Sequence, residues 1–164
     1  MILSRINYAI LCWGYEHKRI FILQKKAIRI IYNSTYNAHT DPIFKKLKLL
    51  KVKDIFMIQS LKFYYKYSNN KLPGYFTNMF QNINEVHGHN TRASQSMYIP
   101  RTRHNKTSKS ARYSIPEIIN NFPIFIREKI NTHSLNTIKI HAKKYIIDAY
   151  STQCCRTHCY ICGT

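Results

Sequence analysis

The last eleven residues hold the densest set of metal-ligand types in the chain: Cys154, Cys155, His158, Cys159 and Cys162. Thiolate and imidazole are the ligands zinc takes in structural sites. Cys159-x-x-Cys162 has the spacing of a knuckle, and Cys155-x-x-His158 offers a second pair, so Cys155, His158, Cys159 and Cys162 are the candidate metal ligands. The two pairs abut, with no loop between them to wrap an ion. A closed tetrahedral site would more easily draw a ligand from elsewhere in the chain or from a second chain. The other reading of the tail is a set of reactive thiols without metal. Zinc here is the one cofactor the sequence suggests.

Carboxylates are the other chemistry to weigh. A polymerase or nuclease needs several close together to hold two metal ions. The acids of this chain are Glu16, Asp41, Asp54, Glu85, Glu117, Glu128 and Asp148, and no two are neighbours in sequence. There is no Gly-rich phosphate loop and no nucleophile motif. Catalysis by this chain alone is not expected.

Charge gives the third chemistry. The chain carries 26 Lys and Arg against 7 Asp and Glu, a formal net charge of +19. A folded domain with that imbalance repels itself, so an anionic partner is expected. RNA or DNA is the first candidate and a membrane surface the second. The plain alternatives are a basic protein with no specific partner, or a translated fragment never selected to fold. With 45% hydrophobic residues, 13 Tyr and 8 Phe, the chain is no disordered polycation. No apolar run reaches the length of a bilayer span, so no membrane insertion is expected. In the opening MILSRINYAILCW, Arg5 and Asn7 interrupt the apolar stretch and no small-residue cleavage site follows, which argues for a helix over a signal peptide. Cys12 stands apart from the tail cysteines, unlike a disulfide framework. An intracellular place, nuclear or cytoplasmic and not secreted, is the expectation.

The elements that must position these groups read as helices, and the fold class expected is mainly α. Ile2 to Cys12 predicts a short helix ended by Trp13-Gly14, Gly14 supplying a conformation other residues avoid. Trp13 is expected to pack under the next helix. That helix, Lys18 to Asn33, is amphipathic. At about 100° per residue, Lys18, Arg19, Lys25, Lys26, Arg29 and Asn33 form a basic arc. Ile20, Phe21, Leu23, Ala27, Ile28, Ile30, Ile31 and Tyr32 form an apolar one, with Ile22 and Gln24 out of place. The apolar arc is so wide that the remaining helices are expected to gather on it.

Thr40-Asp41-Pro42 signals a helix start, with a side-chain oxygen to cap and Pro in the first turn. Asp54 to Tyr67 is apolar nearly all round and should be the buried partner of the amphipathic helix. Its Phe63, Tyr64, Tyr65 and Tyr67 are suited to stacking on bases, but core packing is their expected use. Leu72-Pro73 opens a brief helix. From Val86 to Pro116 there is no acid; Arg92, Arg101, Arg103, Lys106, Lys109 and Arg112 stand among Ser, Thr, Asn and His. This reads as a loop or a loose pair of strands around Met97-Tyr98-Ile99. It suits phosphate contacts or, equally, a solvated linker. Ile115-Pro116 opens a helix through Ile118 and Ile119 that Asn120-Asn121-Phe122-Pro123 breaks, and Ser134 caps the last helix. The expected organisation is a helical cluster over 1–85, a basic loop over 86–115, helices over 116–150 and the Cys/His tail over 151–164.

The order of landmarks resembles the C-terminal part of the polymerase polyprotein of non-LTR retrotransposons, the LINE and jockey-like transposable elements. The resemblance runs through Tyr8 to Trp13-Gly14, Leu23-Gln24-Lys25-Lys26-Ala27-Ile28-Arg29-Ile30-Ile31 and His39-Thr40-Asp41-Pro42-Ile43-Phe44. It continues through Leu47 to Ile55, Leu72-Pro73 with Phe76, Thr91-Arg92, and Pro116 to Pro123. It spans about Tyr8 to Tyr150, and it rests on order and spacing rather than on any one motif. Ile119 departs from it, standing where such proteins often place Trp. The tail matches only loosely the Cys/His clusters at the ends of some of them.

The resemblance implies the non-catalytic region after the reverse-transcriptase domain of an RNA-directed DNA polymerase, holding template RNA or target DNA. The catalytic aspartates of that family lie upstream and have no counterpart here, and Met1 just before the first landmark suggests a truncated copy. Lys18, Lys25, Lys26 and Arg29 would then grip phosphate from the helix, and Arg92, Arg101, Arg103, Lys106 and Arg112 from the loop. The alternative is an interaction fragment that packs on a missing upstream domain of the polymerase.

Overall fold

A computed structural model describes residues 6–88, 92–94 and 96–150, and of Lys106 only the backbone. The chain is mainly α-helical; among the described residues there is no strand. In chain order the helices are α1 (Ile10–Trp13), α2 (Lys18–Ile31), α3 (Thr40–Lys46), α4 (Val52–Ser68), α5 (Ile83–Val86), α6 (Asn105–Ser108), α7 (Ala111–Asn121), α8 (Ile124–Thr132) and α9 (Leu135–Asp148). Single 3-10 turns follow α1 at Gly14–Glu16 and α4 at Gly74–Phe76.

The helix at the centre is α4, not α2. It touches α1, α2, α7, α8 and α9. Val52, Ile55, Phe56, Leu61 and Tyr65 point to several sides of it, and all are buried. A helix that is apolar all round can be covered on all sides, whereas an amphipathic one keeps a face in water. Thus α2 lies at the surface, fully burying Ile28 alone of its residues.

The main core joins Ile28, Phe44, Leu61, Ile115, Ile119, Phe122, Ile126, Ile130, Ile138 and Ile146. Phe44 is fully enclosed, with Phe21 stacked at 6.4 Å and the Tyr150 ring edge-on at 6.5 Å. Emptying such a site costs about 3–5 kcal/mol.

A second cluster of Ile10, Ile55 and Phe56 pins α1 to α4. Trp13 packs on this cluster rather than beneath α2, and its indole N–H donates to the Tyr8 carbonyl at 2.8 Å. Gly14 has φ −62°, ordinary helical backbone, so the conformational reason expected for it does not apply. Its role is space: a Cβ there would meet Phe56 Cδ2 at 2.6 Å and Ile10 Cγ1 at 2.9 Å.

Several helix starts differ from the sequence reading. Helix α3 does begin at Thr40, but no side chain caps it; Asp41 instead pairs with Lys51 Nζ at 2.8 Å. The start of α4 is held from outside. The Gln24 carboxamide accepts from the Val52 N–H at 3.0 Å and donates to the Leu50 carbonyl at 2.9 Å. This explains a polar residue out of place on α2: it satisfies the free backbone groups of another helix. Tyr150 adds a second support, its hydroxyl accepting from the Lys51 N–H at 3.2 Å and donating to Asp54.

Helix α7 starts at Ala111, four residues before the expected opening at Ile115, so Pro116 sits inside it. The helix there forgoes one N–H bond. Ile115, Pro116 and Ile119 are nevertheless buried against the core. Ser134 caps α9 as expected, accepting from the Thr137 N–H.

Residues 94 and 96–98 run antiparallel beside 81–84, with one bridge between Asn82 and Met97. Tyr98 N donates to Gln81 O at 2.8 Å and Ile83 N to Ser96 O at 3.0 Å. Both backbone groups of Met97 are held by the Asn120 carboxamide at 2.9 Å, which ties this short ribbon to α7.

Candidate nucleic-acid interface

The basic arc of α2 divides once its neighbours are in place. Lys18, Arg19 and Lys26 are exposed. Lys25 lies over the Phe21 ring at 4.4 Å, and the Arg29 Nε–H donates to the Ala38 carbonyl at 2.9 Å, holding the loop after α2. Lys18 and Lys26, with Arg19, are therefore the cations of this helix free to meet phosphate, while Lys25 and Arg29 also carry structural contacts.

In the following basic segment Arg92, Arg101 and Arg103 are exposed, and Arg112 is exposed on α7 rather than in a loop. Lys109 is drawn back to the body of the protein by an ion pair with Glu16. The Lys106 side chain and the proposed zinc ligands Cys155, His158, Cys159 and Cys162 lie outside the described residues. Among the described residues no group of three or more His, Cys, Asp or Glu is placed to hold a metal. None of their helices is long and apolar enough to cross a membrane.

Two features could not be read from the sequence. The first is a cationic corner of Lys62 and Lys66 on α4 and Lys139 on α9. Partial burial, then the charges of Lys139 and Lys66, hold the Lys62 ammonium below the ordinary lysine range. Like charges that bear on one another favour an anion nearby.

The second is a polar cleft between α4, α8 and the ribbon of 81–84 and 96–98. It comprises two hollows of about 410 and 340 Å³ that share Tyr64, Asn82, Met97 and Asn131. Arg92 and Arg127 line the second hollow. The Arg127 Nε–H is buried without a hydrogen-bond partner. Burial, with Tyr67 and Glu85 nearby, raises the Tyr64 hydroxyl above the ordinary tyrosine range, so it stays a neutral hydroxyl. Of the four aromatic residues weighed for stacking, Tyr65 is buried and Phe63 packs edge-on against Phe76 at 5.5 Å. Tyr67 is fixed by its hydroxyl to the carbonyls of Thr77 and Phe80. Tyr64 alone of the three tyrosines combines partial exposure with a hydroxyl outside these bonds.

A different surface lies along α2. Leu23, Ile30 and Ile31 are 63%, 80% and 69% exposed. Leu23 and Ile31, with Ile6, Ile20, Gln24, Ala27, Leu49 and Leu50, border an apolar groove of about 470 Å³ floored by Ile28 and Phe44, and Ile30 stands exposed outside it. Compared with protein-family models, curated proteins and solved structures, the chain has no match in any of the three.

Proposed function

We propose that this chain is the non-catalytic helical region following the reverse-transcriptase domain of a non-LTR retrotransposon polymerase, and that it contacts template RNA or target DNA. The observation that carries nucleic-acid contact is the charge balance. Seven acids can neutralise at most seven of 26 Lys and Arg, so a large cationic surplus needs an anion from outside. The exposed Lys18, Arg19 and Lys26, the arginines at 92, 101, 103 and 112, and the Lys62–Lys66–Lys139 corner supply it on several faces. The retroelement origin rests on the order of sequence landmarks. Catalysis is assigned to the upstream domain of that family.

The test is the salt dependence of binding to a single-stranded RNA. Binding should weaken steeply with salt. Replacing Lys18, Arg19 and Lys26 together by Gln should make the log–log slope shallower by about 2, at roughly 0.7 per lost phosphate contact on a single strand. An unchanged slope would remove α2 from the interface.

The second reading, an interaction fragment that packs on the upstream polymerase domain, is favoured by the apolar groove along α2. Arg19 and Lys26 lie on the Leu23 side of it on the helical wheel. The surface that covers it would therefore present an apolar ridge flanked by acids. A second copy of this chain, itself at +19, is a poor occupant.

A further inference from the structure

The geometry points to the cleft between α4, α8 and the ribbon of 81–84 and 96–98 as a pocket for one unpaired nucleotide, its base beside Tyr64 and Asn131 and its phosphate beside Arg127 and Arg92. This rests on the nucleic-acid reading above and adds a site that recognises the base as well as the backbone.

Shape supports it first. The two hollows, about 410 and 340 Å³, lie side by side with four lining residues in common, and each falls within the range of sites that enclose small ligands. Chemistry then distinguishes the two ends. Asn78, Gln81, Asn82 and Asn131 line the first. A carboxamide offers a donor and an acceptor side by side, the pattern that pairs with base edges. The Asn131 Oδ1 already accepts from the Ser68 hydroxyl at 2.8 Å, which leaves its NH₂ group to donate. Tyr64 lines both hollows, with Phe80 packed edge-on against it at 6.0 Å. It is backed by Tyr67 at 6.2 Å and 22°, and Tyr67 is itself fixed at its hydroxyl.

The other end holds Arg92 and Arg127. The Arg127 Nε–H is itself enclosed, but the guanidinium lines the hollow and, with the exposed Arg92, can give charge-assisted bonds to a phosphate oxygen. Glu85 and Glu128 also line the cleft, and Glu85 is already held by Asn82. Their negative charge disfavours a continuous backbone running through. A single base inserted with one phosphate at the arginine end meets less of it. Asn120 is spent on both backbone groups of Met97, so its part is to position the ribbon wall.

The experiment compares two strands on the full chain by fluorescence anisotropy. One is a mixed-sequence RNA of about twelve nucleotides, and the other is an abasic ribose-phosphate strand of equal length and charge. The RNA should bind about fivefold or more tightly than the abasic strand. Asn131→Ala should bring the two within about twofold of each other, and so should Arg92→Gln, an exposed position where folding is not at stake. A thermal melt of each variant checks that the fold is kept. Equal binding of both strands, with ordinary salt dependence, overturns the cleft and leaves the interface standing. A preference for the RNA that survives both substitutions also overturns it. No salt-dependent binding of either strand overturns the interface and the cleft together.

Discussion

The pair Tyr150 and Asp54 shows how a single contact sets a pH dependence. Burial raises the Asp54 carboxyl above the ordinary carboxylate range, although the bond from Tyr150 and the charges of Lys51 and Lys53 pull the other way. Burial and the bond to Asp54 push Tyr150 well above the ordinary tyrosine range. Both groups therefore hold protons more tightly folded than unfolded, and stability falls as pH rises through each window. For Asp54 the loss begins near pH 4, where the unfolded carboxyl ionises; for Tyr150 it begins near pH 10. Asp54→Asn keeps an acceptor for the Tyr150 hydroxyl but no charge. Its thermal midpoint should gain on the wild type as pH rises from about 4 to 7. Tyr150→Phe should flatten the alkaline loss above about pH 10. A wild-type midpoint that rises from pH 4 to 7 relative to Asp54→Asn would contradict the assigned direction. Asp54→Ala, which strands the tyrosine hydroxyl, should cost about 1–3 kcal/mol at neutral pH.

At the scale of elements, α4 holds its central place through close approaches that only the packed helices reveal. The Gly14 contact with Phe56 is the tightest of these, since a Cβ would stand 2.6 Å from the ring. Gly14→Ala should lower stability by about 1–3 kcal/mol, read from denaturant midpoints, while RNA affinity per folded molecule stays unchanged. A neutral or stabilising result would mean that α1 yields freely and is not pinned to α4. Much at this scale was readable from residue patterns. The starts of α2, α3 and α9 follow from the return of apolar residues, Thr40-Asp41-Pro42 and Ser134. The start of α7 was not, because Pro116 looks like a first-turn residue. The early start of that helix at Ala111 is supported by burial of Ser114 and Ile115, which depends on the other helices being present. Gln24 was visible only as an exception on the wheel. Its partners at Leu50 and Val52 lie far along the chain.

For the whole molecule, two surfaces of opposite character lie on one helix: the cations Lys18, Arg19 and Lys26, and the apolar Leu23, Ile30 and Ile31. Replacing Ile30 and Ile31 by Ser should reduce binding of a dye for exposed apolar surface and reduce self-association, with folding stability kept within about 0.5 kcal/mol. A dye-silent wild type, or a large loss of stability on substitution, would mean that this apolar face of α2 is already covered.

The sequence by itself determined the helical class, the cationic surplus and the lack of neighbouring carboxylates, because composition and short-range periodicity carry those properties without any fold. Only the tertiary structure decided which helix is central, which cations remain free, that the charge of Lys139 bears on Lys62, and that Tyr64 and Arg127 line one hollow. Those pairs lie tens of residues apart, and their meeting follows from how apolar faces interlock around α4. No local pattern of residues encodes that packing, since the same amphipathic arc on α2 is compatible with being the centre or the edge until the competing helix is placed beside it.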